Sequence, residues 1–352
     1  MEIKAELFNE KELREFVDFS RTFYENPKTN LIDNVRHKFK QFNNQRSLHI
    51  KAYEKDKIIG RVVLNEKKLH LGKKNFTVTQ PSDLLTLRDF KNPLTVFSLI
   101  KSFNQLDTDL VIHTSNEKSD VIYKNIFKFP ILFKCITYGF PISPLSLFSK
   151  VFLKRKYILF QFFDYFIKIL IKVIINFIMC FNSIKLRDFN LKDITERELT
   201  LLQKREVNLF SRNKDFIKWK YLDSKELCKC YKIFKKNQAF GYIFIKESNF
   251  NNLKAFCLMD FFILRNLKKI DYFFVRLAII YQALHSKCDL IYAIGNMNNT
   301  TLSNLFKLPF IHINDYFLPH STPIYISSVK DSCNINDCKD IYFTLADTDY
   351  FN

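Results

Sequence analysis

Glycine is nearly absent from this sequence, with five in 352 residues, alongside one tryptophan and four methionines. So little glycine leaves no Walker loop and little of the glycine-rich backbone with which many proteins cradle phosphate. Phenylalanine (39) and lysine are abundant by contrast, a bias that an AT-rich coding sequence explains as well as any physical need. Also missing are a CxxC pair, an HExxH, a Ser/His/Asp order and a dense Lys/Arg block, and no helix-turn-helix, zinc-finger or RNA-recognition signature is present. The eight cysteines (135, 180, 228, 230, 257, 288, 333, 338) are scattered, which argues against a metal cluster or a disulfide framework and for reduced thiols. The opening MEIKAELFNEKELREF is charged from the start and carries no apolar signal segment, so the expected compartment is the cytoplasm.

What remains is 47% apolar, enough for one large core or two ordinary ones, and two domains are expected from the length. The net charge of +19 suits an anionic partner such as nucleic acid, a phosphorylated cofactor or an acidic lipid surface. A solvated lysine-rich surface with no partner accounts for it equally well.

The chain writes one phrase twice. DLVIHTSN (109–116) and NIFKFP (125–130) return as DLIYAIGN (289–296) and NLFKLP (304–309). KIIGRVVL (57–64) answers QAFGYIFI (238–245), and SDLLTLRD (82–89) answers MDFFILRN (259–266). Gly60 thus falls on Gly241, Asp83 on Asp260, Asn92 on Asp271 and Asn116 on Asn296, with offsets between 177 and 181 and no break in order. A collinear series over about 70 residues reads as a duplication, each copy a domain.

Within the first copy, LHIKAYEKDKIIGRVVLNE predicts two strands joined at a polar turn, and SDLLTLRD a further strand. Asn92 is a helix cap and Pro93 a first helical residue for LTVFSLIKSFNQL, which DLVIHTSN follows as a strand and SDVIYKNIF as a short helix. The second copy repeats this with Asp271 as cap. A strand, helix, strand run implies a right-handed crossover and a parallel pair in each copy.

Between the copies, residues 157–181 are strongly apolar, yet Asp164, Lys168, Lys172 and Asn176 recur every fourth residue as one polar stripe. Asp164 and Lys168 are spaced to pair across a turn. The stripe is costly for a spanning helix. It leaves open a linker helix buried between the domains and a helix lying on a membrane beside Lys154, Arg155 and Lys156.

In each copy a strand leads into a helix N-terminus, and a later strand ends in Asn before a short helix. This order is similar to that of the GNAT acyltransferases. NEKSDVIYKNIFKF resembles their closing motif, in which Asn is followed seven residues later by Tyr and then by Gly-Phe. Asn116 and Tyr123 hold that spacing, while Phe129 comes one residue late and Lys128 stands for the glycine. SRNKDFIKWKYLD (211–223) is similar to the Arg…Trp-Arg-Tyr opening common in tandem GNAT proteins, carried by Arg212, Trp219, Lys220 and Tyr221. The resemblance covers about 50–140 and 205–325. It implies an α/β fold of two tandem GNAT-like domains, each a mixed sheet flanked by helices, at 1–146 and 187–352, joined by an amphipathic apolar linker helix at 147–186.

The resemblance further implies an N-acyltransferase with acetyl-CoA or another acyl-CoA as donor and an amine as acceptor, an amino sugar of a cell-envelope polysaccharide precursor being one candidate. Acyl transfer needs the pyrophosphate held, which unpaired N–H groups at a helix N-terminus do well, and the leaving thiolate protonated, which suits a tyrosine. Tyr123 would be that acid, and Asp83 and Asp260 the candidate bases of their copies. Asn116 and Asn296 would orient the cofactor, and DFKNPL or NLKKID would hold the pyrophosphate through Lys91, Asn92, Lys268 and Lys269. Neither loop carries the family's glycines, Pro93 removes a donor, and Ser303 stands where a second acid would be. Two other readings follow: a Fem-type transferase taking its acyl group from aminoacyl-tRNA, or a non-catalytic protein that docks on a membrane. His113 is a further candidate base. Each of these residues also has a plain structural reading, Tyr123 packing beside Ile122 and Ile126, and the Asn and Asp residues ending strands or making turns.

Overall fold

The computed structural model describes residues 1–23, 32–39, 46–87, 93–115, 117–153, 158–182, 184–205, 208–223, 228–250, 253–313, 322–330 and 333–348. The first half runs β1 (Glu2–Leu7), α1 (Glu10–Arg21), α2 (Ile32–Lys38), β2 (Ser47–Glu54), β3 (Lys57–Leu71), β4 (Lys74–Thr86), α3 (Pro93–Lys101), β5 (Leu110–Thr114), α4 (Glu117–Val121) and β6 (Ile131–Pro141). Two helices follow, α5 (Pro144–Val151) and α6 (Ile158–Met179). The second half runs β7 (Ile184–Asp188), α7 (Glu196–Arg205), β8 (Asn208–Phe210), α8 (Lys214–Ile217), β9 (Cys228–Lys235), β10 (Gln238–Phe250) and β11 (Leu253–Ile263). It ends with α9 (Lys269–Ala283), β12 (Leu290–Asn296), α10 (Thr300–Leu305), β13 (Ile311–His312) and β14 (Thr322–Val329).

The local chemistry of the two halves matches. Lys55 and Asp56 turn β2 into β3 with φ of 47° and 64°, and Lys236 and Asn237 turn β9 into β10 with φ of 48° and 65°. Two successive residues at positive φ twist a hairpin in the same sense as its strands. β4 and β11 each bulge one step later, near Asp83 and near Met259, against β3 and β10. β4 then pairs parallel with β5, and β11 with β12, across α3 and α9. The expected strand, helix, strand run is therefore present in both halves.

The halves share one mixed sheet, ordered β1-β2-β3-β4-β5-β14-β6-β12-β11-β10-β9-β7 among the described residues. β6 of the first half pairs antiparallel with β12 of the second, from Leu290↔Pro141 to Asn296↔Cys135. β14, near the far end of the chain, fills the space between β5 and β6. On one face of the first half, Leu99 and Phe103 close over Val62, Leu64 and Val111. On the other, Leu13, Phe16 and Val17 of α1 pack with Val63.

Three local expectations are corrected. Asp271 is not the cap of α9 but its third residue, and its carboxylate accepts the Lys268 N–H at 3.0 Å and Lys235 Nζ at 2.6 Å. Asp164 supports the charge of Lys168 but makes no hydrogen bond to it; instead it accepts the Leu145 and Ser146 N–H groups at 3.0 and 2.8 Å, capping α5, whose own Ser143 makes no capping bond. Lastly, α6 is not buried between two domains. It packs against α5 and α9 through Asp164, Lys168 and Lys172 together with Ile171, Ile175 and Ile178, and leaves a wide apolar arc outside.

The repeated glycines are positions of close approach. A Cβ on Gly60 would meet side-chain carbons of Thr86, Thr95 and Leu99 at 3.0–3.1 Å, which is how tightly α3 sits on the sheet. On Gly241 it would lie 2.0 Å from the Phe262 carbonyl oxygen. Gly241→Ala is expected to lower the unfolding free energy by about 1–3 kcal/mol in urea titrations, and Gly60→Ala by less, because side-chain ends yield more readily than backbone. An unaffected Gly241→Ala protein would contradict the close packing of β10 on β11.

Candidate active site

Each half holds two parallel strands that part company, and the space between them is where a ligand would enter. In the first half β4 and β5 are joined only at Val78↔Leu110 and Thr79↔Val111. Beyond that, β4 continues along β3 to Thr86 while β5 continues along β14 to Thr114. In the second half β11 and β12 pair from Ala255↔Leu290 to Leu258↔Ala293 and then separate.

The chain's own tail fills the second gap. Thr344 bridges to Gly295, the Asn296 N–H donates to the Phe343 carbonyl, and Asn296 Nδ2 donates to the carbonyls of Lys339 and Ile341 at 2.9 Å each. From the other side, Tyr342 and Thr344 donate to Asp260 Oδ1 at 3.2 and 3.3 Å, and the Tyr342 hydroxyl also reaches the Phe261 carbonyl. Arg212 locks this in place. Its Nε donates to Asp260 at 2.7 Å and its Nη2 to Asp347 at 2.6 Å, with every one of these charged groups buried. Burial and the neighbouring Asp347 push the Asp260 carboxyl above its ordinary range, against the pull of Arg212.

Two sequence-predicted residues of the second half, Asp260 and Asn296, are thus brought together, but around the tail. The segment 211–223 joins them there: Tyr221 donates to Asp260 at 3.2 Å, while Trp219 Nε1 donates to the His37 carbonyl at 2.7 Å and ties the halves. Lys268 and Lys269 stand exposed at the start of α9.

The first gap carries a different set of groups. Lys91, Asn92 and Asn116 lie outside the described residues. Asp83, with φ of 51°, reaches Lys38 of α2 at 2.8 Å. Burial opposes its charge, but Lys38 and Arg61 outweigh burial and hold the carboxyl below its usual range, which makes it a weak proton acceptor. Asp83 does not meet Tyr123, which packs with Val111 and Leu99 on the α3 face of the sheet.

Tyr123 stands on a π-helical turn (Ile122–Ile126) that continues α4, closed by the Phe127 N–H on the Ile122 carbonyl. Such turns recur at functional sites because the widened backbone re-aims a side chain. Its ring lies 5.0 Å from that of His113, 5.6 Å from Tyr325 and 5.9 Å from Phe129. Burial alone pushes the Tyr123 hydroxyl above its ordinary value, keeping it protonated. His113 lies between Phe103, Tyr123 and Phe129 with both ring nitrogens buried and unpaired, and burial pushes it down to about 3. Tyr325 donates to Asp120 at 2.6 Å. Sequence reading missed Tyr325 and Asp120, since β14 carries no motif and arrives from the opposite end of the chain. A separate surface cavity of about 560 Å3, lined by residues including Leu191, Lys214, Lys218 and Asp223, shares no lining residue with either gap.

No protein-family model matches the chain, and no curated protein matches it. Solved structures do. An N-myristoyltransferase from Saccharomyces cerevisiae, solved with bound myristoyl-CoA, superposes with a TM-score of 0.57 at 11% identity, over 97% of this chain and 84% of that one. A probable N-acyltransferase from Enterococcus faecalis gives 0.53 at 8%, over 93% and 70%. A GCN5-related N-acetyltransferase from Anabaena variabilis gives 0.54 at 10%, over 92% and 72%. Identities this low show the fold alone, and the fold is the GNAT fold, here with one large mixed sheet flanked by helices.

The buried neutral histidine makes stability depend on pH. Below its ordinary value near 6.5 the unfolded chain protonates His113 while the folded chain, with the ring held near 3, does not. Stability from this residue is therefore complete above about 6.5 and falls by about 1.4 kcal/mol per unit as pH drops toward the folded value. His113→Phe should flatten the loss measured by urea unfolding between about pH 6 and 4. Equal slopes for both proteins would contradict the assignment.

Proposed function

We propose that this chain is an N-acyltransferase that moves an acyl group from acyl-CoA to an amine, with the donor in the gap between β4 and β5. The observation that carries this reading is the asymmetry of the two gaps: the second is filled by the tail, while the first is flanked by a protonated, buried Tyr123. In the reaction a neutral amine attacks the thioester carbonyl, forming the C–N bond, and collapse of the tetrahedral intermediate breaks the C–S bond. Tyr123 protonates the departing sulfur, and the proton shed by the amine restores its hydroxyl.

In this reading Asp260 and Asn296 position the tail and take no part in chemistry, and Asp83 fixes α2 against the sheet. The start of α3, with Lys91 and Asn92, supplies the pyrophosphate contacts through side-chain charge where glycines would otherwise bring the backbone close. The two halves descend from one duplicated domain. The likeness to a structure holding myristoyl-CoA supports a CoA thioester as donor, and an amino sugar of an envelope precursor is the acceptor class to test first.

Turnover assays with acetyl-CoA and myristoyl-CoA test the assignment. Tyr123→Phe should cut turnover by about 10²-fold or more while leaving donor affinity unchanged. Unchanged turnover removes Tyr123 from the chemistry, and activity that ribonuclease abolishes transfers the donor role to aminoacyl-tRNA.

A further inference from the structure

The inward side of α6 mixes its charged residues with Ile171, Ile175, Ile178 and Met179, while its outward side is almost wholly apolar. Its charged residues, Asp164, Lys168 and Lys172, turn toward the protein: Asp164 caps α5, and Lys172 Nζ donates to His285 Nδ1 beyond α9 at 3.4 Å. Every exposed position of α6 is apolar or aromatic except Gln161 and Asn176. Phe162, Phe166, Leu170, Val173 and Phe177 are 52–68% exposed, and Phe148 and Phe152 of α5 and its C-cap extend the patch. At 1.5 Å per residue the face runs about 33 Å, and at 100° per residue its exposed side chains sweep roughly half the circumference. Patches of this extent mark an interaction site.

We propose that α5 and α6 dock the protein on an anionic lipid surface, with α6 lying in the plane of the interface. This rests on the two helices alone and not on the acyl-transfer reading. No helix among the described residues is long and apolar enough to cross a membrane. A partner helix covers a stripe of about 100°, so an uncharged arc nearly twice as wide needs a medium that moulds around it. Acyl chains do so, and an amphipathic helix settles about 5–10 Å into the headgroup boundary. The charge is complementary as well: the chain carries +19, and Lys154, Arg155 and Lys156 directly precede α6 in the sequence.

The test is flotation of the purified full chain with phosphatidylcholine vesicles, with and without phosphatidylglycerol. Wild type should float with both, more strongly with the anionic vesicles, and added salt should reduce the anionic binding to the neutral level. Phe166→Glu with Val173→Glu should lower the partition by about tenfold or more while leaving the melting temperature unchanged, since both side chains are exposed. A second readout uses the native sequence: Cys180, an exposed thiol just past α6, takes an environment-sensitive dye whose emission should shift to the blue on vesicles. No flotation and no shift would overturn the proposal. So would a dimer in lipid-free solution that the double substitution disperses, because a second copy would then cover this face.

Discussion

Arg212, buried between Asp260 and Asp347, is the contact on which the rest of the molecule turns. A buried charge is tolerated only when paired and hydrogen-bonded, and here one guanidinium satisfies two carboxylates on different elements, β11 and the tail. Removing one partner from such a set costs about 3–5 kcal/mol, because the remaining charges stay buried and unmatched. The consequence reaches beyond the second half. The Asp347 carbonyl accepts from Lys67 and Gln80 of β3 and β4, at 3.4 and 3.2 Å, so the clasp that seals the second gap also fastens the tail to the strands beside the first.

That clasp separates two gaps of common design. In both halves a parallel strand pair separates near a bulge, and a helix links the two strands. In the second, the polar groups are already engaged: Asn296 holds two tail carbonyls, and Asp260 accepts from Tyr342 and Thr344 of the tail and from Arg212, Tyr221 and Phe261. In the first, the ring nitrogens of His113 have no partner, and Tyr123 packs against the rings of His113, Phe129 and Tyr325 and the side chains of Leu99 and Val111. Under the proposed function, the tail's occupation of the second gap leaves the first to take the donor.

Much of this was legible in the residues. The repeat gave the element order and the paired strands, and the polar turn at Lys55 and Asp56 found its twin at Lys236 and Asn237. What stayed hidden is non-local. Nothing in TPIYISSV says that β14 will sit between β5 and β6, so Tyr325 could not be placed beside Tyr123. Asp260 reads as a candidate base until Arg212, 48 residues earlier, closes on it. For α6 the four-residue spacing revealed the polar stripe but not that its charges turn inward beside Ile171, Ile175 and Ile178, where Asp164 caps α5, while a wide apolar arc stays outside.

The proposed function requires that the tail close the second gap and that the first bind the donor, and calorimetric titration of the whole chain with acyl-CoA measures that directly. Desulfo-CoA and adenosine diphosphate serve as controls for bare phosphate attraction to a basic surface. The predicted result is saturation at one site per chain, tighter than either control and retained when salt is raised. Two equivalent sites per chain, or binding no tighter than adenosine diphosphate, would contradict it.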